Sequence, residues 1–171
     1  LNGFFATLGI KDSTEVLRAI DKLAKIGKEE VRSLLLEAGL SSENTDKIFS
    51  FLEISGSNQT KLDQLNKMAR ENSDYPEFLQ GIEDLCAVYK NMSAFGISEE
   101  RIEIDLSITR GLDYYTGMVY ETFLKGYEEI GSICSGGRYD DLASNFTREK
   151  LPGVGLSIGL TRLFYQLSAA E

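Results

Sequence analysis

A chain of 171 residues, 42% apolar and 26% charged, can bury one core or one and a half, and no apolar run in it approaches the roughly 20 residues of a membrane span. A net charge of −9 argues against nucleic-acid binding by bulk electrostatics and confines any phosphate contact to one face, while the absence of histidine removes imidazole catalysis and His-based metal sites. Cys86 and Cys134 show no CxxC spacing, which suggests neither a disulfide framework nor a zinc site. The opening LNGFFATLGI lacks the pattern of a signal peptide, so the expected compartment is the cytoplasm, and the start at Leu1 leads us to expect a piece of a longer protein.

From Asp12 to about Phe95 the periodicity predicts helices throughout. Asp12, with Glu15 three residues on, forms a capping-box pattern ahead of Val16, Leu17, Ile20, Leu23 and Ala24 on one face, and Gly27 supplies the stop. On that same helix Arg18, Lys22 and Lys25 fall at i, i+4 and i+7, a basic stripe that reads as a solvated face or as an RNA contact. Further helices are predicted over about 28–38 and 42–52, with a fourth opening at Thr60 after the polar SGSNQ loop. Pro76 opens the longest helix, whose apolar residues recur at 4-3-4-3 spacing up to Gly96.

The pattern changes after GISEER. Ile102, Ile104 and Leu106 alternate with Glu103, Asp105 and Ser107, the period of a half-buried strand. MVYETFLKG reads as a second strand, EEIG as a turn and GSIC as a third strand, antiparallel because the connection is short. GVGLSIGLTRLFYQL begins as a strand and becomes a helix near Gly159. The expected fold class is α+β, an all-helical module followed by an antiparallel sheet and a closing helix.

Three segments carry polar groups where plain apolar residues would serve a sheet. Gly153, Gly155, Ser157 and Gly159 leave one strand face almost without side chains, so that a flat ligand or a second backbone can approach, and Arg162 follows in the first helical turn, where a planar cation can stack on a base or pair with phosphate. Tight strand–helix packing with a surface arginine is the competing explanation. CSGGRYDDL places Gly136, Gly137, Arg138, Tyr139 and Asp140 at a strand end, where an ordinary turn is the plainer reading. In RGLDYYTGMVYE, Arg110 lies beyond a strand end, and alternation would turn Tyr114 and Tyr115 to opposite faces. These tyrosines can line a polar pocket or fill a sheet core, and periodicity alone does not separate the two.

Taken together and in this order, RGLDYYTGMVYE, GSICSGGRYDDL and LPGVGLSIGLTRLF resemble the two histidine-specific signatures and the class II motif 3 of the histidyl-tRNA synthetase family, and VLRAIDKLAKIGKEEV resembles the insertion domain that its bacterial members carry. The resemblance covers essentially the whole chain. It implies a partial class II catalytic core with an antiparallel sheet, divided as the end of the first catalytic half at 1–10, a helical insertion domain at 11–98 and the second catalytic half at 99–171. It also implies ATP-dependent activation of L-histidine to histidyl-adenylate, transfer to the 3′ end of tRNA(His), Mg2+ accompanying ATP with no protein metal ligand identified here, and a homodimer for the full-length protein. By motif match, Arg110 would contact the reacting α-phosphate and the histidine; Tyr114, Tyr115, Gly137, Tyr139 and Gly155 would form the histidine pocket; Gly159 and Arg162 would serve ATP; and Arg18, Lys22 and Lys25 would lie near the tRNA. Thr161 departs from the acidic residue that motif 3 often has there. Motifs 1 and 2 and the anticodon-binding domain are not in the sequence, so the chain alone is expected to be inactive. Two related families remain as alternatives: the synthetase-like regulatory subunit of ATP phosphoribosyltransferase, and noncatalytic synthetase-like domains that sense tRNA.

Overall fold

The computed structural model describes residues 1–109 and 114–169. They divide into two compact units, Leu1–Gly111 and Leu112–Glu171. The first is built from α1 (Asn2–Thr7), α2 (Thr14–Ile20), α3 (Leu23–Ile26), α4 (Lys28–Glu37), α5 (Ser42–Leu52), α6 (Asn58–Glu71) and α7 (Pro76–Ala94). Local chemistry sets most of these limits. The Ser41 and Ser57 hydroxyls accept from the backbone N–H groups of Asn44 and Thr60, satisfying first-turn donors of α5 and α6, and Pro76 occupies the first turn of α7, where its missing N–H costs nothing.

The apolar faces meet in one core. Phe5, Ile20, Val31, Leu35, Ile48 and Leu65 are fully buried, and each such side chain contributes roughly 1.5–3 kcal/mol relative to exposure. Phe4 stacks on Phe51 with ring centroids 4.0 Å apart, and Phe78 meets both at a tilt. This contact requires α1 and α7 to touch backbone to backbone, since a Cβ on Gly3 would run into the Cα and N of Phe78.

Several expected elements take other forms. The capping box at Asp12 does not close: Ser13 already has αR dihedrals, the Asp12 carboxylate accepts from Thr14 N at 3.0 Å, and Glu15 pairs with Arg18 at 2.7 Å. The helix expected to run on to Gly27 is broken after Ile20, where Lys22 N bonds back to Ala19 O in a tighter turn, so Arg18 sits on α2 while Lys22 and Lys25 belong to the start and body of α3. The fourth helix opens at Asn58, ahead of Thr60. The run from Ile102 to Asp105 starts extended, with Ile104 buried, and gives way to a turn at Leu106; among the described residues it pairs with no strand. Its backbone partner is a side chain: the Asn58 amide donates to Ile102 O at 2.7 Å and accepts from Ile104 N at 2.8 Å.

The second unit contains β1 (Val119–Thr122), β2 (Cys134–Tyr139), β3 (Gly153–Ile158) and α8 (Leu160–Ala169). The strands form an antiparallel sheet in the order β1-β2-β3, so the expected combination of helices with an antiparallel sheet and closing helix is the one observed. Most of GSIC lies ahead of β2, which starts at Cys134, and Gly136 and Gly137 sit in mid-strand rather than at a strand end. On β3 the side chains of Val154, Leu156 and Ile158 are 68%, 63% and 57% exposed.

Two glycines of the helical unit should respond oppositely to alanine. Gly3→Ala forces a methyl into the Phe78 backbone and should destabilise by about 1–3 kcal/mol. Gly81, in mid-α7 with no atom within 4 Å of its Cβ position, should gain up to about 1 kcal/mol. Urea unfolding followed by helical circular dichroism measures both, and equal shifts would contradict the α1–α7 contact.

Candidate active site

The ladder register determines which residues share a face. β2 opposes β1 with Val119↔Gly137 and Glu121↔Ser135, and opposes β3 with Tyr139↔Gly153, Gly137↔Gly155 and Ser135↔Ser157. Because side chains alternate, one face carries Tyr139 and Gly153 in one row, Val119, Gly137 and Gly155 in the next, and Glu121, Ser135 and Ser157 in the third. The middle row has two opposed residues without side chains.

Aromatic rings occupy that space. The Tyr115 ring lies on Gly137, where a Cβ would stand 2.7 Å from its Cδ1, and the Tyr139 ring covers Gly153 and Gly155, with a Cβ on Gly155 only 3.1 Å from the phenol oxygen. Tyr114 completes the cluster, with its ring centroid 4.4 Å from that of Tyr115 and 6.4 Å from that of Tyr139. The Tyr114 hydroxyl donates to the Tyr115 hydroxyl at 3.3 Å, so the two phenols meet on one side. Strict alternation would have separated them, but both residues precede β1 and are free of its pleat. Tyr120 works from the opposite face. Its hydroxyl packs over Gly136 and donates to Gly155 O at 3.1 Å, and burial, reinforced by Cys134 and Tyr115, pushes its pKa above the ordinary phenol value, which keeps that donor protonated.

The segment bearing the tyrosine pair is strapped to the end of β2. Thr116 N donates to Arg138 O at 3.0 Å and Arg138 N to Met118 O at 2.8 Å. The Thr116 hydroxyl accepts from Asp140 N and donates to the Asp140 carboxylate, both at 3.0 Å, and Arg138 Nε donates to that carboxylate at 3.0 Å. Thr116, Arg138 and Asp140 therefore set the direction in which Tyr114 and Tyr115 leave the chain. The sequence signal for this brace is faint, because Thr116 and Asp140 are 24 residues apart and only the ladder register joins them. Glu121 and Ser135 are likewise placed on the glycine face by register alone.

Arg162 lies at the other end of the strands. Its Nη1 donates to Ser132 O at 2.6 Å, and its side chain runs past Gly131 and Gly159, while Gly159 N is held by Ile133 O at 2.7 Å. The four residue-to-residue steps from Gly155 to Gly159 span about 13 Å of extended chain. The structure thus groups Tyr114, Tyr115, Gly137, Tyr139 and Gly155 at one end, puts Gly159 with Arg162 at the other, and joins them by the polar row Glu121, Ser135 and Ser157. Arg110, with residues 111–113, lies outside the described residues.

The arrangement matches known proteins over nearly its full length. A family model described as histidyl-tRNA synthetase matches residues 4–163. The histidine–tRNA ligase of Finegoldia magna is 55% identical over 167 residues, which is 98% of this chain and 38% of that protein. That of Clostridium tetani is 50% identical over 171 residues, 100% of this chain and 38% of that protein. The crystal structure of histidyl-tRNA synthetase from Nostoc sp. PCC 7120 superposes with a TM-score of 0.93 at 44% identity, covering 99% of this chain and 40% of that one. The chain spans less than half the length of these relatives, and it belongs to the histidyl-tRNA synthetase family.

Proposed function

We propose that the chain supplies part of a histidine–tRNA ligase: the end of the first half of a class II catalytic core at 1–10, an insertion domain at 11–98 and the second half of the core at 99–171. The full-length protein would form histidyl-adenylate and pyrophosphate from ATP and L-histidine, then pass histidine to the 3′ end of tRNA(His), working as a cytoplasmic homodimer. The observation that carries this reading is the three-tyrosine cluster on the glycine floor of β2 and β3, with an arginine at the far end of the same strands.

A flat imidazole suits a pocket of phenol rings, and the Tyr114 and Tyr115 hydroxyls offer both a donor and an acceptor to ring nitrogens. Arg162 would release Ser132 O to lie along adenine and reach the triphosphate, its planar fork fitting both tasks, and Gly159 leaves the backbone open beside it. The roughly 13 Å between the two ends spaces an amino acid from a nucleotide base. Arg110 would place fixed positive charge at the α-phosphate, where negative charge develops during attack by the histidine carboxylate. Mg2+ would enter with ATP. Rate enhancement then comes from orientation and preorganised charge, without a covalent enzyme intermediate.

Histidine-dependent pyrophosphate exchange by a full-length ligase carrying this chain is the direct test. Its absence in a folded protein would redirect the reading to a synthetase-like regulatory subunit or tRNA sensor. Within an active enzyme, Arg110→Lys keeps the charge but loses the fork, and adenylation should slow by about 10²-fold with little change in histidine affinity. Tyr115→Phe should instead weaken histidine binding by about 1–3 kcal/mol, because a ring nitrogen in a closed pocket loses its partner. Single-turnover rates and histidine affinities for both variants separate the roles, and an exchange of the two phenotypes would refute them.

Gly137→Ala drives a methyl into the Tyr115 ring and should displace the phenol. Histidine KM should rise by about 10-fold or more, as for loss of one buried hydrogen bond, while ATP KM holds. Equal rises in both would mean that Gly137 supports the sheet as a whole. For the basic residues, Arg18, Lys22 and Lys25 would meet tRNA across the break between α2 and α3. Changing all three to glutamine should weaken tRNA binding at low salt without slowing adenylation, and unchanged affinity would assign them to solvent.

A further inference from the structure

The segment that carries Tyr114 and Tyr115 joins β2 irregularly. The register that sets Val119 against Gly137 would, in an unbroken ladder, set Met118 against Arg138 and have those two residues exchange both backbone bonds. One bond is the expected one, from Arg138 N to Met118 O, but Arg138 O accepts from Thr116 N instead of from Met118. Thr116, Gly117 and Met118 thus stand against one residue, a bulge that bends the chain ahead of β1, and bulges beside binding sites re-aim side chains. Gly117 lies at its middle, where a Cβ would stand 3.0 Å from Arg138 Cδ. The bend releases Tyr114 and Tyr115 from the pleat, and their hydroxyls meet at 3.3 Å.

Three side chains hold this bulge. The Thr116 hydroxyl accepts from Asp140 N and donates to Asp140 Oδ2, both at 3.0 Å, so one hydroxyl closes a ring on one residue, and Arg138 Nε pairs with the same carboxylate. Arg138 works from behind the aromatic cluster, because alternation along β2 turns it away from the face of Gly137 and Tyr139. The ion pair adds little stability, since the Arg138 and Asp140 side chains are 56% and 41% exposed and such pairs are weak in water. What the brace supplies is position. It ties the residue after Tyr115 to the residue after Tyr139, and those are the two rings that lie on the glycine floor. We propose that Thr116 and Asp140 are specificity-determining positioning residues: by fixing the Tyr115 backbone against that of Tyr139, they set the pocket's width and the place of its phenol oxygens, and thereby its preference for a flat ring bearing nitrogen atoms over an apolar ring of similar size. This rests on the histidine-pocket reading given above.

The test uses a full-length ligase carrying this chain and compares histidine with thienylalanine, whose flat five-membered ring has no nitrogen. Thr116→Val keeps the shape and removes the hydroxyl, and Asp140→Ala removes the carboxylate but leaves the N–H. Each should lower the ratio of kcat/KM for histidine over the analogue by about 10-fold or more, because a pocket that selects by hydrogen bonds loses discrimination when its polar atoms are displaced. Histidine KM should rise while ATP KM holds. Thr116→Ser, which keeps both hydroxyl bonds, should retain the unsubstituted ratio. In a Tyr115→Phe background Thr116→Val should add little, because both changes act through one phenol. An unchanged ratio in both variants, equal rises in the two KM values, a Thr116→Ser enzyme as unselective as Thr116→Val, or losses that multiply with Tyr115→Phe would each overturn the proposal. If Thr116→Val fails to fold, Asp140→Ala decides it by the same ratio. Absence of histidine-dependent exchange in the unsubstituted enzyme would instead sink the ligase reading, and this role with it.

Discussion

The opposition of Gly137 and Gly155 in the β2–β3 ladder is the constraint on which the aromatic cluster depends. Two facing residues without Cβ atoms let phenol rings approach the peptide planes, and Tyr115 and Tyr139 fill that space. A side chain at either glycine would lift a ring away. Gly136 serves the opposite face in the same way, since a Cβ there would collide with Gly155 O and the Tyr120 hydroxyl. Glycine weakens a strand, and here the rings, the Tyr120 bond to Gly155 O and the Thr116–Asp140 brace offset that weakness.

In the helical unit a comparable task falls to a side chain. A lone extended segment needs partners for its peptide groups, and α6 provides an amide where a sheet would provide a strand. This frees the Ile102–Asp105 run from any sheet register, so its path is set by α6 instead. Ile104 is buried by the same arrangement, and Glu103 faces outward within 3.4 Å of Lys61 Nζ.

Much of this organisation is legible in the sequence, and the exceptions have physical causes. The limits of α5, Ser42 and Leu52, follow from a capping serine and an unbroken apolar face. The strand-to-helix change at Gly159 is visible because the period shifts from two to 3.6 there. Alternation from Ile102 to Leu106 reports burial of every second residue and says nothing of who bonds the backbone, so it predicts a strand where an asparagine stands in for one. β2 is displaced from GSIC to CSGGRY because two adjacent glycines resemble a turn unless the partner strand, with Gly155 opposite, is already known. At Asp12 the box pattern is present but Ser13 is already helical, so the carboxylate serves the Thr14 N–H instead. For the site, the identities of Tyr114, Tyr115, Tyr139 and Arg162 are readable as motifs, whereas their grouping at two ends of one face, and the polar row between them, exist only once the register is set.

The bare face of β3 has a consequence for the colloidal behaviour of the chain. Val154, Leu156 and Ile158 present an uncharged apolar ridge on a strand that has only one neighbour among the described residues, the kind of edge on which cross-β stacking begins. Stacks of that kind favour continuous β-branched or aromatic sequence and tolerate few glycines. Gly153 and Gly155, which admit the Tyr139 ring on one face, interrupt the segment at every second position, and Pro152 blocks its extension toward the N-terminus. The glycines that admit the tyrosine rings are thus also the residues that lower the β-propensity of this apolar segment.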